Sequence, residues 1–98
     1  MSQTYQELLI NETRALELTV RDQDGNEFAP SAAYVEIQDE EGNTVVDEQL
    51  VQTYGNKVIT LVGTATTTTP GTYYVIWKIQ RYQYTYYHVT KLLVSKLL

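Results

Sequence analysis

His88 is the only histidine of the chain, Ser2, Ser31 and Ser95 are its only serines, and there is no cysteine. An imidazole that works as a base or a metal ligand needs a carboxylate, a thiolate or a second imidazole beside it. Every acid lies in residues 1–48, whereas His88 stands among Tyr86, Tyr87 and Thr90. Those neighbours favour a structural strand histidine. None of the serines has the flanking glycines of a nucleophile elbow, and no glycine-rich phosphate loop occurs. Asp22-x-Asp24-Gly25-Asn26 offers oxygens at alternate positions, as a calcium loop does at its start. Its glycine comes too early, however, and the twelfth position is Ala33 where a bidentate Glu is required. A tight turn is the simpler reading, and Asp39, Glu40 and Glu41 read the same way, although together the two groups offer carboxylates for a cation at one end of a fold. No catalytic, cofactor-binding or metal-ligating residue is assigned, and the expectation is a protein that is not an enzyme and holds no cofactor.

The tyrosines carry more information. Nine of the eleven aromatic residues are tyrosine. Tyr82, Tyr84, Tyr86 and Tyr87 crowd one segment beside Tyr73, Tyr74 and Trp77. By the two-residue period of a strand they cannot all enter one core, so some must face outward. Amphipathic rings at a surface suit a protein interface or a platform on which a sugar stacks. Cross-strand pairing that merely stabilises an exposed sheet is the plainer explanation. The interface expectation falls on Tyr74, Tyr82, Tyr84, Tyr86, Tyr87 and Arg81. Nucleic acid is a poor fit, because the bases near these rings are few and the formal charge is −5.

The elements that would hold these residues are strands. Residues 71–79 are apolar on one side at Tyr73, Val75, Trp77 and Ile79, and Pro70-Gly71 turns the chain into them. Leu16, Leu18 and Val20 alternate with polar residues between Thr13 and Asp22. Val35 and Ile37 do so with Ala33 between Ala32 and Asp39. Residues 44–53 read as a further strand region with Val46 facing in. Ile59 and Leu61 alternate through 57–62, and Leu92 and Val94 through the final strand of 84–96. The expected core is Leu16, Leu18, Val20, Val35, Ile37, Ile59, Leu61, Tyr73, Val75, Trp77, Leu92 and Val94. Residues 5–10 read as a short edge strand in preference to a brief helical turn, and the threonine-rich 63–69 as an extended edge in preference to a floppy loop. Asp24-Gly25, Glu41-Gly42, Gly55-Asn56 and Pro70-Gly71 punctuate the strands. Residues 80–83 lack Gly and Pro, so a type I turn or a wider hairpin is expected there. The sum is about seven short strands without an amphipathic helix, an all-β antiparallel sandwich formed as one domain over residues 1–98.

Charge is divided along the chain. Residues 1–48 hold twelve acids and two bases, a net of −10, and residues 49–98 hold five bases and no acid, a net of +5. Separated in space, the halves would favour head-to-tail contact between copies. Interleaved in a sandwich, they would average out. No apolar run reaches 18 residues and the N-terminus lacks a basic start, so neither a membrane span nor a signal peptide is expected.

Residues 71–79, with Gly71, then Tyr73, then Val75 and Trp77 facing inward, resemble the start of strand F in immunoglobulin-like sandwiches, where that tyrosine makes the tyrosine corner. Val75 stands where antibody domains carry a cysteine. Together with 86–94, and with the Leu16-x-Leu18-x-Val20 and Ala33-x-Val35-x-Ile37 strands, the segment is similar to the closing hairpin of small immunoglobulin-like proteins of tailed-phage virions. That resemblance implies a capsid decoration, neck or tail component, assembled in the host cytoplasm into the virion, with copies of itself and other virion proteins as partners and no membrane or nucleic acid. A carbohydrate- or cell-surface-binding module is the alternative.

Overall fold

In the computed structural model, which describes residues 2–9, 12–62 and 69–96, the chain forms eight strands and, among those residues, no helix. They are β1 (Ser2–Leu9), β2 (Arg14–Thr19), β3 (Ala32–Asp39), β4 (Thr44–Leu50), β5 (Gln52–Tyr54), β6 (Lys57–Val62), β7 (Gly71–Arg81) and β8 (Tyr84–Ser95). One sheet has the order β1-β8-β7-β3-β4 and the other β2-β6-β5. The count exceeds the expected seven because 44–53 is two strands. At Val51 the backbone N–H donates to Ala33 O at 3.0 Å and the chain passes from one sheet to the other. All pairings are antiparallel except one, in which β1 runs parallel to β8 with Ser2 beside His88 and Leu9 beside Ser95. Residues 10–11 and 63–68 lie outside the described residues, and with them most of the threonine-rich connection.

The two sheets close on one apolar layer. Ala33, Val35 and Ile37 of β3, Tyr73, Val75, Trp77 and Ile79 of β7, and Leu92 and Val94 of β8 are buried from one side. Leu16 and Val20 are buried from the other, Leu18 packs half-buried against them, and Phe28 fills the loop end. Alternation dictates this, since each strand has its large apolar residues at one parity. β6 corrects the sequence reading. Val58, Thr60 and Val62 face inward, Ile59 is half-buried on the other side, and Leu61 is 67% exposed. In the antiparallel register, Thr60 stands opposite Leu16 and Val58 opposite Leu18, and directly opposed residues share a face. With the β2 leucines inside, Ile59 and Leu61 are forced outside.

Two turns obey one rule. In Asp22-Gln23-Asp24-Gly25-Asn26, Asp22 Oδ1 accepts from the N–H groups of Asp24 (2.9 Å) and Asn26 (3.0 Å). In Asp39-Glu40-Glu41-Gly42-Asn43, Asp39 Oδ1 accepts from Glu41 (3.0 Å) and Asn43 (2.9 Å). Gly25 and Gly42 sit at φ 83° and 85°, where a side chain would be strained. The turns lie at opposite ends of β3, so they cannot share a cation. That corrects the grouping of their carboxylates at one end of the fold.

Tyr73 Oη donates to Thr69 O at 2.7 Å, closing the corner ahead of β7. Tyr73→Phe keeps the ring and deletes this bond. The expected loss is about 1 kcal/mol, seen as a thermal midpoint lowered by roughly 4–8 °C.

Candidate functional site

The outer face of the five-stranded sheet is built from the other parity of the same core strands. Register aligns it in three levels across β8, β7 and β3: Tyr87, Lys78 and Tyr34; Val89, Ile76 and Glu36; Lys91, Tyr74 and Gln38. Leu93 extends the face along β8, and Leu50 stands beside Tyr34 on β4. Ile76 is the middle residue of the central strand. Lys78 Nζ lies 4.8 Å from the Tyr34 ring centroid and 2.5 Å from Glu48 Oε1. The Glu48 carboxylate raises the Lys78 pKa above its ordinary value. Glu36 Oε2 accepts from Gln38 Nε2 at 2.8 Å and from Thr44 Oγ1 at 3.0 Å. Lys91 has no ion-pair or hydrogen-bond partner among the described residues. The result is a broad face of rings and aliphatic side chains crossed by the Lys78–Glu48 pair, Glu36 and Lys91.

The six residues expected at an interface do not assemble into one site. Tyr74 and Tyr87 lie on this face, the latter 51% exposed. Tyr86 points the opposite way and packs half-buried on the core, its ring 5.5 Å from that of Phe28. Arg81 lies over the Phe28 ring at 4.6 Å with Asp22 Oδ2 3.8 Å away, bracing the base of the β7–β8 hairpin. Tyr82 and Tyr84 occupy its tip. Tyr34, Ile76, Val89, Lys91 and Leu93 were missed, although the signal was present as the residues alternate to those read as core.

The tip also departs from the expected type I turn or wider hairpin. Arg81 pairs with Tyr84, leaving Tyr82 and Gln83 as a two-residue loop. Tyr82 supplies the positive φ, 56°, that such a loop needs and that glycine or asparagine supplies more cheaply. It is 87% exposed, so burial does not repay that strain. Tyr82→Gly is expected to stabilise by up to about 1 kcal/mol, the relief of left-handed strain exceeding the added chain entropy. A thermal melt of the variant beside the parent protein checks it.

Elsewhere the chemistry is accounted for. His88 sits on the inward parity of β8, and burial lowers its pKa below the ordinary histidine value. Among the described residues no group of three or more His, Asp or Glu is placed to hold a metal. A shallow recess of about 280 Å³ is lined by Glu7, Leu9, Glu12, Arg14 and Ser95. Its cation is already engaged, because Arg14 donates to Glu12 Oε2 at 2.8 Å and to the backbone Glu7 O at 2.9 Å. The bond from Leu9 N–H, and then Arg14, hold the Glu12 pKa below the usual range. The two halves of the charge pattern interleave, as acids of the first half pair with bases of the second at Glu17–Lys57, Glu48–Lys78 and Asp22–Arg81.

The strand orders and the buried corner tyrosine define an immunoglobulin-like β-sandwich. Among solved structures, the chain is similar to that of the CBM51-2 and INT domains of Clostridium perfringens ZmpB, with a TM-score of 0.57 and 17% identity over 95% of this chain. At that identity the likeness shows the fold, and the chain spans 19% of the length of that structure's chain. No protein-family model matches the chain, and no curated protein sequence does.

Proposed function

We propose that the chain is a non-catalytic interaction domain that docks onto a larger protein assembly through the outer face of its five-stranded sheet. The observation that carries this reading is the face itself: Tyr34, Tyr74, Tyr87, Ile76, Val89 and Leu93 form a continuous surface on the three central strands, with no element of the described chain packed over it. Its aromatic rings are of the type enriched in interface cores, and Lys78 and Glu48 on it already neutralise each other. The assembly proposed is a tailed-phage virion, with the chain as a decoration, neck or tail component beside copies of itself and other virion proteins. Support for this finer reading is the resemblance of residues 71–79 and 86–94 to the closing hairpin of such proteins. The test is density-gradient sedimentation of particles released from cells expressing the chain with its neighbouring genes. Co-sedimentation that Tyr87→Ser abolishes supports the reading, and a chain left at the top of the gradient overturns it.

A second reading, a carbohydrate- or cell-surface-binding module, is favoured by the exposure of Tyr54, Tyr82 and Tyr84. These rings project convexly, whereas small ligands are held in concave sites. A glycan array read with the parent protein and Tyr82→Ala decides it.

A further inference from the structure

We propose that the partner of the outer face is a second copy of this chain, packed face to face about a two-fold axis that runs along β7. The inference rests on the docking-face reading and names its occupant.

Size is the first argument. Five strands about 4.8 Å apart and eight residues at about 3.3 Å each make a face of roughly 600 Å² in projection. Standard interfaces bury about 800 Å² of accessible surface per partner, and side chains standing off a sheet add to its projected area. The face therefore supplies the surface of a complete interface.

Charge is the second. Glu36, Glu48, Lys78 and Lys91, with Glu7 beside Leu93, sum to −1 on this face, in a chain of formal charge −5. The surplus acid lies at the ends of the sandwich, with Asp22, Asp24 and Glu27 in the β2–β3 connection and Asp39, Glu40 and Glu41 in the β3–β4 turn. Like-charged copies meet with least repulsion on the face that carries the least of the surplus.

Register is the third. Rotation about an axis along β7 lays the β8 row of one copy over the β3 row of the other. Tyr87 then lies over the partner's Tyr34, Ile76 over the partner's Ile76, and Lys78 beside the partner's Lys78, each ammonium neutralised by the Glu48 of its own copy. Lys91 comes over the partner's Gln38, one step from the partner's Glu36. Lys91, the cation of the face that has no carboxylate partner among the described residues, thereby comes near one, twice by symmetry, as an isologous contact repeats each pairing.

Light scattering over a concentration series tests this, with circular dichroism and a thermal melt of every variant to establish folding. The parent protein is expected to reach twice the 11.2 kDa chain mass, and Ile76→Asp to remain at the chain mass. Lys91→Glu sets acid against acid and is expected to raise the dimer dissociation constant about tenfold or more. Adding Glu36→Lys to Lys91→Glu restores opposite signs and is expected to recover association. A folded parent protein at chain mass throughout overturns the proposal, as does a folded Ile76→Asp variant that still dimerises. If the parent protein stays monomeric yet co-sediments with particles, the second copy is excluded while the docking face stands. Failure in both experiments removes both.

Discussion

Trp77→Ala is expected to cost about 3–5 kcal/mol, the largest loss available from a single truncation in this fold. The indole is 1% exposed, sits on the central strand of the larger sheet, and donates Nε1–H to Thr90 Oγ1 at 2.9 Å across to β8. Val35 stands opposite it on β3. Truncation therefore leaves a cavity at the point where three strands meet, and it deprives a buried hydroxyl of its donor. With no disulfide to limit the unfolded chain, nothing offsets the loss. A chain of this size has a total stability of about 5–15 kcal/mol, so the thermal midpoint should fall by on the order of 20 °C. Trp77→Phe refills most of the volume and omits the hydrogen bond, and it should recover more than half of that drop. A denaturant titration followed by circular dichroism measures both. Equal midpoints for Trp77→Ala and the parent protein would show that the β7 parity is wrong.

Val58→Asp and Leu61→Asp are expected to differ in stability by more than about 3 kcal/mol. Val58 is fully buried between the sheets, and a carboxylate there has no partner, a change of the class that exceeds about 4 kcal/mol. Leu61 projects into solvent from the same strand, opposite Ala15, and Leu61→Asp should stay within about 0.5 kcal/mol of the parent protein. The pair reads the facing of β6 directly. If Leu61→Asp unfolded the chain and Val58→Asp did not, β2 and β6 would be paired one residue out of register.

β6 also shows where sequence reasoning reaches its limit. Val58-Ile59-Thr60-Leu61-Val62 is apolar at both parities, so periodicity does not choose a face. The choice comes from the leucines of β2, which are distant in sequence. Where one parity is polar, as in Arg14–Thr19 and Ala32–Asp39, the inward residues are legible from alternation alone. The two aspartate turns are legible for a similar reason, since an Asp followed three residues later by Gly satisfies its own backbone. The break at Val51 is not, because no Gly or Pro marks it and its cause is the carbonyl of Ala33. The tight loop at Tyr82 was hidden as well, since that residue type seldom adopts its backbone angle. For the candidate site, grouping the tyrosines by closeness in sequence mixed three environments that alternate parity separates. Tyr86 went inward, Tyr87 outward and Tyr82 to a tip, while the aliphatic half of the outer face went unnoticed beside them.

The parallel β1–β8 pair has a mechanical consequence. β1 starts beside His88 and β8 ends beside Leu9, so tension drawing the start of β1 and the end of β8 apart acts along the ladder between them. The strands would have to slide past each other, and their rungs would give way together instead of peeling singly.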